Sequence, residues 1–596
     1  MTTEQTDIEN MRHSLAHILA YAVQELYKDV KFGVGPVIDN GFYYDFDLEQ
    51  TISEDDLKQI EKRMKHLIKQ NHQFEREDVD LSEAKSRVKD KQPYKLELIE
   101  DLGTKGTTDA YADAGGGQKG VDSVSFYTIG DFTDLCRGGH VESTGKVGAF
   151  ALTKVSGAYW RGDEGNPQMQ RVYGVAFESQ AELDTYLKMQ AEAKERDHRK
   201  LGKELDLFTF SELVGSGLPL FTPRGTVVKN LLTRYSQQLR QQAGFVEVSI
   251  PHITKSKLYE VSGHWDKFGD ELFLVTSQET SDKLALKPMN CPHHTQIYAS
   301  QQRSYRDLPL RYLETTTVYR DEKSGELGGL NRVRSITQDD SHVFCAQEDI
   351  AQEVKSLLKI ADDLYDELDM GLRVRLSYRD ESEAYLGDGE LWKNAQQQLK
   401  SAVEESTLEY FEETGEAAFY GPKIDFMATD AIGREHQLAT VQLDFVQPGR
   451  FDLEYVSSDG SRQTPVMIHS AILGSTERFM SVYIEHTAGS FPFWLAPEQV
   501  RIIPVNDKID DYITTIKNNI TEVLLMTPLK YNELRYSVDS QSDSLGKRIY
   551  QAEKDMVPVI IIAGPRDQKS GQVSLRIDGE ESSVAVDQLP QKLQEL

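Results

Sequence analysis

The chain has 596 residues, 39% hydrophobic and 28% charged, with a net charge of −30. That length suits roughly three or four domains with their own cores, and the acidic balance excludes binding nucleic acid through overall charge while leaving local basic grooves open. No apolar run approaches the roughly 20 residues of a membrane helix, residues 1–9 are too acidic and polar for a signal peptide, and Cys136, Cys291 and Cys345 cannot make a disulfide framework, so a cytoplasmic location without a membrane partner is expected.

Residues 7–28 read as an amphipathic helix with Ile8, Met11, Leu15, Ile18, Leu19, Ala22 and Leu26 on one stripe. His13 and His17 lie one turn apart, so they share a face. At about 100° per residue that face is predicted roughly opposite the apolar stripe, toward a cleft, solvent or another domain. The pair lacks the glutamate of H-E-x-x-H, which argues against a zinc protease. A glycine-punctuated β segment, 32–46, and a charged helix, 53–72, follow. The Gly/Asp-rich stretch 103–120, with AGGGQKG, is too irregular for a phosphate loop and is predicted to be a mobile insertion.

TDLCRGGHVESTG then brings Asp134, Cys136 and His140, the last two repeating the four-residue spacing of the first histidine pair. Two such pairs in one domain suit a Cys/His₃ zinc site. Equally, they suit an acid/base cluster holding a water for hydrolysis; the alternative is four unrelated polar residues. Residues 179–203 are predicted to be one long polar connecting helix.

Residues 225–251 read as a long helix, a glycine stop at Gly244 and a strand reaching Pro251. Hairpins with charged tips and an apolar strand entering a helix come next, which together suggest an antiparallel sheet flanked by helices. Within this block, RDEKSGELGGLNRVRSITQDDSHVF, residues 320–344, reads as one hairpin. It holds Arg320, Arg332 and Arg334, a flexible Gly328-Gly329 turn, and a return strand with Gln338, Asp339, Asp340 and His342. Guanidinium pairs with phosphate through two parallel hydrogen bonds, so the stretch is a candidate anion site; ordinary surface ion pairs are the alternative. The last hundred residues alternate strand (VRIIPV), helix (509–526) and strands (VPVIIIAGP, GQVSLRI) as a small α/β domain. Its Arg535, Lys547, Arg548, Lys554, Arg566, Lys569 and Arg576 are candidate phosphate contacts, with a solvated face as the alternative for each.

Three words of the central block fit together: KPMNCPHH around Cys291, QDDSHVF around His342 and MIHSAILGSTERF around His469. One cysteine and two histidines leave a zinc ion with an open fourth position, the arrangement of a catalytic or substrate-binding rather than a structural zinc. Cys345, three residues along a strand from His342, points to the opposite face and is predicted to be a buried thiol. An open zinc beside Asp340 and Gln338 can chelate an amino acid through its amine and β-hydroxyl. Such a site discriminates by about 10⁴ or more against isosteres lacking the hydroxyl. It excludes valine and still admits serine, which then requires a second, hydrolytic site.

On the words HSLAH, CRGGH, GAYWRGD, RDHRKLGKELDLF, GHW, KPMNCP, SYRDLPLR, VRSITQDDSHVF, FYGPKIDF, ATVQLDF and HSAILGSTERF, the chain resembles the bacterial-type threonyl-tRNA synthetases, a family of class II aminoacyl-tRNA synthetases, over nearly its whole length. The resemblance implies an α+β multidomain fold. An α+β editing domain at 1–178, a linker helix at 179–204, a class II catalytic domain with an antiparallel sheet at 205–497 and an α/β anticodon-binding domain at 498–596 are expected. It implies zinc, one per subunit, on Cys291, His342 and His469, and Mg²⁺ with ATP. The dimerisation motif falls on 225–251, implying a homodimer. Arg320 is implied at the α-phosphate of ATP, Glu322 at adenine, Arg332 toward the distal phosphates and Arg478 stacked on adenine. Asp340 is implied to accept from the threonine amine, with Gln338, Tyr420, Lys423, Gln437 and Gln442 lining the threonyl-adenylate site. His264 resembles a histidine that assists transfer to the tRNA 3′ end. Editing falls on His13, His17, Cys136 and His140, with Asp134 and Lys95 in the same cleft, and without an obligatory second zinc.

The match departs at His293, where relatives commonly have glycine, at Tyr319, where a histidine often precedes the arginine, and at Ala439, in place of a glycine. VDSQSDSL, residues 538–545, lacks the arginine-asparagine step associated with anticodon contacts. The HSLAH helix begins within a dozen residues of Met1, so the small ubiquitin-like domain preceding editing in many relatives is expected to be absent. The expected function is ATP-dependent ligation of L-threonine to tRNA(Thr) through threonyl-adenylate, with hydrolysis of mischarged seryl-tRNA(Thr). A catalytically inactive synthetase-like RNA-binding or regulatory protein is the alternative, opposed by retention of Arg320, Arg478 and all three zinc ligands. A ligase charging a carrier protein on the same fold is a third reading, for which editing and anticodon domains would be superfluous.

Overall fold

The computed structural model describes residues 7–107, 120–382, 385–386, 388–521, 534–577 and 579–596. Most of the AGGGQKG stretch and the end of the helix expected to reach Met526 lie outside these residues. The chain divides into two compact units, residues 1–191 and 192–596.

In the first unit, helix α1 (Asp7–Leu26) packs on a sheet containing β1 (Gly41–Asp47), β5 (Ala149–Tyr159) and β6 (Gln168–Phe177), and against α2 (Leu57–Gln70). A second sheet joins β2 (Glu75–Asp80), β3 (Ser123–Ile129) and β4 (Phe132–Leu135), with α3 (Pro93–Lys105) nearby in sequence. Helix α3 runs through Gly103 and stops at Gly106, whose φ of 71° suits glycine. The expected loop therefore starts three residues later than the sequence indicated.

Of the surroundings expected for the histidine face of α1, open solvent is not what the structure gives. Every residue from Ser14 to Val23 is buried, His17 included, so the helix has no solvent face there. The pair points into a cluster inside the unit, whereas Leu26 of the apolar stripe is exposed.

The connector is two helices, not one: α4 (Gln180–Glu195) and α5 (His198–Glu204). Asp197 starts the second by accepting from the Arg199 amide through its side chain. Arg196 is drawn aside to the His486 carbonyl at 2.8 Å.

The second unit is built on an eight-stranded sheet. In spatial order it runs β7 (Val246–Glu247), β8 (Leu310–Tyr319), β9 (Ser335–Cys345), β14 (Val466–Ser475), β13 (Glu435–Asp444), β12 (Lys423–Thr429), β10 (Gly371–Tyr378) and β11 (Tyr410–Thr414). All pairs are antiparallel except the two edge pairs, β7 with β8 and β10 with β11. Helices α6 (Pro223–Gln242), α8 (Ile350–Glu367), α9 (Gly389–Glu404) and α10 (Thr476–Thr487) share a core with one face of the sheet; α7 (Cys291–Ala299) supplies residues to the other face. Helix α6 begins as its sequence specifies, with Thr222 accepting from the Gly225 amide and Pro223 in the first turn. A Cβ on Gly225 would lie 1.8 Å from the Leu207 carbonyl oxygen, so only glycine lets the helix approach that backbone.

The stretch 320–344 is the loop and return strand of a longer hairpin. β8 and β9 pair from Leu310↔Phe344 to Tyr319↔Ser335, and all three arginines lie in the loop between them. The C-terminal sheet orders β16 (Tyr536–Val538), β15 (Val500–Pro504), β17 (Val559–Ala563), β18 (Gln572–Ile577) and β19 (Glu580–Ala585), parallel for the first three and antiparallel after. Helices α11 (Asp510–Thr521), α12 (Leu545–Lys554) and α13 (Leu589–Gln594) accompany it.

Four of its candidate phosphate-binding cations are committed elsewhere. Arg535 binds the Trp494 and Ala496 carbonyls, Arg548 pairs with Asp539 at 3.0 Å, Arg576 with Glu553 and Glu581, and Lys547 with Asp543. Arg535 is moreover pushed down to about 10 by burial, which marks it as an internal brace.

Candidate active sites

The first cluster lies within the first unit. Cys136 Sγ is 3.4 Å from His13 Nε2 and 3.3 Å from His140 Nε2. The Ser14 hydroxyl donates to the Asn10 carbonyl and can only accept from the ring, so the proton of His140 sits on Nδ1, 3.2 Å away, and Nε2 keeps its lone pair toward Cys136. Phe74 stacks on His140 with ring centroids 4.7 Å apart.

Burial holds the imidazoles of His13, His17 and His140 below the ordinary histidine range and pushes the Cys136 thiol up to about 12. The cluster is therefore a set of neutral donors and acceptors rather than a thiolate–imidazolium pair. Its four ligand atoms lie within 4.8 Å of one another, compatible with a metal ion and equally with a bound water.

Lys95 and Asp134 pair at 2.7 Å with both side chains buried, and Lys95 also donates to the Tyr44 hydroxyl at 3.1 Å. Tyr44 in turn donates to Asp134. Sequence reasoning missed Tyr44 and Ser14, a core tyrosine and a mid-helix serine that carry no motif.

The second cluster lies on the open face of the eight-stranded sheet. Adjacent strands bring His342 and His469 into register, with His342 Nε2 3.1 Å from His469 Nδ1, and Cys291 enters from the first turn of α7. The three ligand atoms lie within 4.8 Å of one another, and all three residues are buried. Cys345 is buried in the core on the other face.

The remaining ring nitrogens are occupied. His469 Nε2 meets Asp444 at 2.9 Å, and His342 Nδ1 meets His294 Nδ1 at 2.8 Å. If His342 Nε2 is a neutral ligand, its Nδ1–H donates to His294. The Nε2–H of His294 then faces Glu314 at 3.5 Å.

Neither His294 nor Asp444 was singled out from sequence. Both were within reach: His294 is three residues after Cys291 on one helix face, and Asp444 shares a strand face with Gln442. His293, by contrast, is buried, and neither ring nitrogen has a partner among the described residues. Tyr319 hydrogen-bonds His252 at 3.3 Å and Ala439 is wholly buried.

The expected substrate residues fall around this cluster in two groups. Asp340 accepts from Asn290 at 2.9 Å, and its other oxygen is 3.9 Å from His342 Nε2. Tyr420 donates to Gln442, and its ring stacks on His469 at 5.0 Å. Lys423 and Gln437 are instead gathered by Asp425, at 2.9 and 2.7 Å, together with Arg375 at 2.9 Å. Among the described residues Gln338 Oε1 has no partner. His264 is buried, its Nδ1 2.8 Å from the Ser262 hydroxyl and its Nε2 3.7 Å from Cys291 Sγ.

The arginines divide by whether they have an acid. Arg332 pairs with Glu322 at 2.7 Å and with Glu326, and Arg334 lies 3.3 Å from Asp321. Among the described residues Arg320 has no carboxylate partner: one nitrogen lies 3.2 Å from the Met289 sulfur, the guanidinium sits 4.9 Å over Phe268, and Nε is unpaired. Desolvation lowers its pKa, although the charge persists at neutral pH. Arg478 also makes no ion pair among the described residues, and crowding by protein, then the like charge of Arg332, lowers its pKa. Arg320, which interacts electrostatically with Cys291 and Tyr420, can receive an anion next to a small molecule held by the Cys291, His342 and His469 donors.

Comparisons with known proteins fit this geometry. Residues 273–487 match the tRNA synthetase class II core domain (G, H, P, S and T), residues 124–173 the threonyl and alanyl tRNA synthetase second additional domain, and residues 499–596 an anticodon binding domain. The threonine–tRNA ligase of Gloeobacter violaceus is 46% identical over 585 residues, covering 96% of this chain and 89% of that one. That of Staphylococcus carnosus is 44% identical over 584 residues, covering 97% and 86%. A solved structure described as the RNA binding domain of threonyl-tRNA synthetase from Cryptosporidium parvum superposes with a TM-score of 0.62 at 34% identity, covering 67% of this chain and 98% of that one.

Proposed function

The chain belongs to the threonyl-tRNA synthetase family, and on that premise we propose that it joins L-threonine to tRNA(Thr) through threonyl-adenylate and hydrolyses seryl-tRNA(Thr) made in error. The observation that carries the reading is the buried Cys291, His342 and His469 donor set together with Arg320, a guanidinium that has no carboxylate partner among the described residues and lies close enough to Cys291 and Tyr420 to interact with them electrostatically. Activation is displacement at the α-phosphate by the threonine carboxylate, with Mg²⁺ accompanying ATP. The chain's task is to hold negative charge in place, and no covalent nucleophile is needed. Arg320, with no acid of its own, is available to the α-phosphate, and Arg478 to the nucleotide base. Arg332 must exchange Glu322 and Glu326 for phosphate oxygens when ATP enters.

The donor set fits zinc: one sulfur and two imidazole nitrogens, buried, with the second nitrogen of each ring held by Asp444 or His294. When bound, zinc supplies a Lewis-acidic position for the amine and β-hydroxyl of the amino acid. Asp340 offers a carboxylate oxygen to the amine, Tyr420 orients Gln442, and Asp425 fixes Lys423 and Gln437 at the cleft wall. His264, neutral because burial lowers it to about 4, can accept a proton from the tRNA hydroxyl.

In the first unit the neutral imidazoles of His13, His17 and His140 are suited to orient a water against a seryl ester, with Lys95 and Asp134 holding Tyr44 alongside. A cytoplasmic homodimer pairing through residues 225–251 completes the proposal. Threonine-dependent ATP–pyrophosphate exchange by zinc-loaded protein, compared with serine and valine, tests activation. Exchange with threonine, less with serine and none with valine is expected; absence of threonine-stimulated exchange would sink the reading. His13→Ala combined with His17→Ala should leave exchange intact and lengthen the lifetime of seryl-tRNA.

A further inference from the structure

We propose that His198, on the short helix α5, is the positioning residue that holds the tip of the arginine loop 320–334 in place for ATP, an inference resting on the ATP-binding role given above to that loop. The His198 ring bridges two elements far apart in sequence. Its Nδ1 lies 2.7 Å from Glu485 on α10, and its Nε2 accepts the Leu330 amide N–H at 3.1 Å. An amide can only donate, so Nε2 carries the lone pair and Nδ1 the proton, given to Glu485. The same Glu485 oxygen accepts the His198 amide at 3.1 Å, and its other oxygen accepts from Arg434 at 2.6 Å. Arg434 is fixed in turn by Asp430 at 2.6 Å. Both ring nitrogens are therefore spoken for, and Asp197, His198 and Glu485, though close enough to suggest a metal site, form a bracket instead.

The loop side is built to meet this bracket. Gly329 has a φ of 56°, and a Cβ there would stand 2.3 Å from His198 Nε2. Glycine is thus required by the backbone and by the approach. Leu330, next along, is wholly buried in the core that also holds Leu201 and Leu205 beside the same helix. Arg320 and Glu322 lie on the limb entering this tip and Arg332 on the limb leaving it, so the tip's placement sets where these groups stand. The turn that sequence marks as flexible is pinned from outside the cleft.

Side-chain geometry separates the two ring contacts. In His198→Asn the amide can still donate to Glu485 and cannot reach Leu330; in His198→Gln a carbonyl can occupy the Nε2 position. Loss of one positioning hydrogen bond, about 1–1.4 kcal/mol, corresponds to about a five- to tenfold change. His198→Asn is expected to raise the KM for ATP in threonine-dependent exchange by that factor, with the KM for threonine within twofold and the thermal midpoint lowered by no more than about 2 °C. His198→Gln should restore the ATP value to within twofold of wild type. An unchanged KM for ATP in His198→Asn, a parallel rise in both KM values, or a Gln variant as impaired as Asn would each overturn the assignment. Hydrogen exchange over residues 326–334 reads the bracket without activity, faster in Asn and wild-type-like in Gln. A wild-type protein inactive in exchange would refute the functional reading, while this second measurement would still decide the bracket.

Discussion

Replacing Arg320 by methionine should make the ligand-free protein more stable and disable it. The guanidinium is part-buried with no carboxylate partner among the described residues, and its contacts are the Met289 sulfur at 3.2 Å and the Phe268 ring at 4.9 Å. Losing the ring contact costs about 0.5–1 kcal/mol. An unpaired charge fully inside protein costs several kcal/mol; open water at the cleft reduces this to about 2, leaving a net gain near 1 kcal/mol in Arg320→Met. In a unit of this size that is about 1–2 °C in melting temperature. The catalytic loss runs the other way, because removing one positioned donor to developing charge lowers turnover by about 10²–10³. Scanning calorimetry with and without a non-hydrolysable ATP analogue separates these effects. At about 100 times its Kd the analogue stabilises wild type by about 2.7 kcal/mol, and a hundredfold weaker Kd leaves about 0.4 kcal/mol. The variant should thus melt above wild type when empty and below it with the analogue. An empty variant that melts lower, or an analogue shift that survives intact, would refute the reasoning.

Asp339→Ala should cost about 4 kcal/mol or more, because it strands the buried Arg240 guanidinium together with the Leu473 and Gly474 amides that Asp339 accepts at 2.9 and 3.0 Å; a loss below about 1 kcal/mol in urea unfolding would contradict this. His294→Leu and Asp444→Ala should each weaken zinc retention about 10–100-fold against a competing chelator, with the fold intact by circular dichroism. Equal retention in both variants and wild type would remove their orienting role. Acid should weaken the first unit in a definite window. The folded pKa values of His13, His17 and His140 are depressed by burial, so below about 6.5 the unfolded chain takes up protons that the folded chain refuses, and stability present above that pH is lost as it falls. Hydrogen exchange of Asp7–Leu26, corrected for intrinsic rates, should lose protection between pH 7.5 and 5.5, and a gain would reverse the sign.

What could be read from the sequence was chemistry carried by uncommon residue types in fixed words. Cys291, His342 and His469 stand out because sulfur and imidazole are the residue types that ligate zinc and each sits in its own uncommon word, and strand register does bring the two histidines together. Less legible was anything decided by what lies across the fold. The α1 pattern allowed a polar face, yet packing encloses the helix on all sides, and a period-based reading cannot see a neighbouring element. The run EAKERDHRKLGK favours continuous helix by propensity, but the Asp197 cap and the bonds of Arg196 to the end of α10 divide it. For the same reason Arg548 looked available for phosphate, while its acid, Asp539, sits nine residues away on a strand end.

Strand β9 shows how neighbouring residues can serve opposite faces of one sheet. Alternation along a strand sends successive side chains to opposite faces. Asp340, His342 and Phe344 face the cleft side, meeting Asn290, His469 and Tyr298. Asp339, Val343 and Cys345 face the helices, where Asp339 meets Ser236 at 2.7 Å and Arg240 at 2.9 Å. The pairing with β14 slips between Gln338 and Asp340, which frees the amides of Leu473 and Gly474 from the ladder. Asp339 receives both. Gly474 takes a φ of 67° with no room for a Cβ, which would lie 2.2 Å from the Leu438 carbonyl oxygen, and Ser475 then caps α10 through the Arg478 amide. The carboxylate buried behind the sheet therefore fixes the bend that leads into α10 and Arg478, while the next carboxylate, one residue on, faces the donor set of Cys291, His342 and His469. Inserting or deleting a residue between Asp339 and Asp340 would exchange the two faces, so the spacing of that pair is what ties the bend before α10 to the cleft side of the sheet.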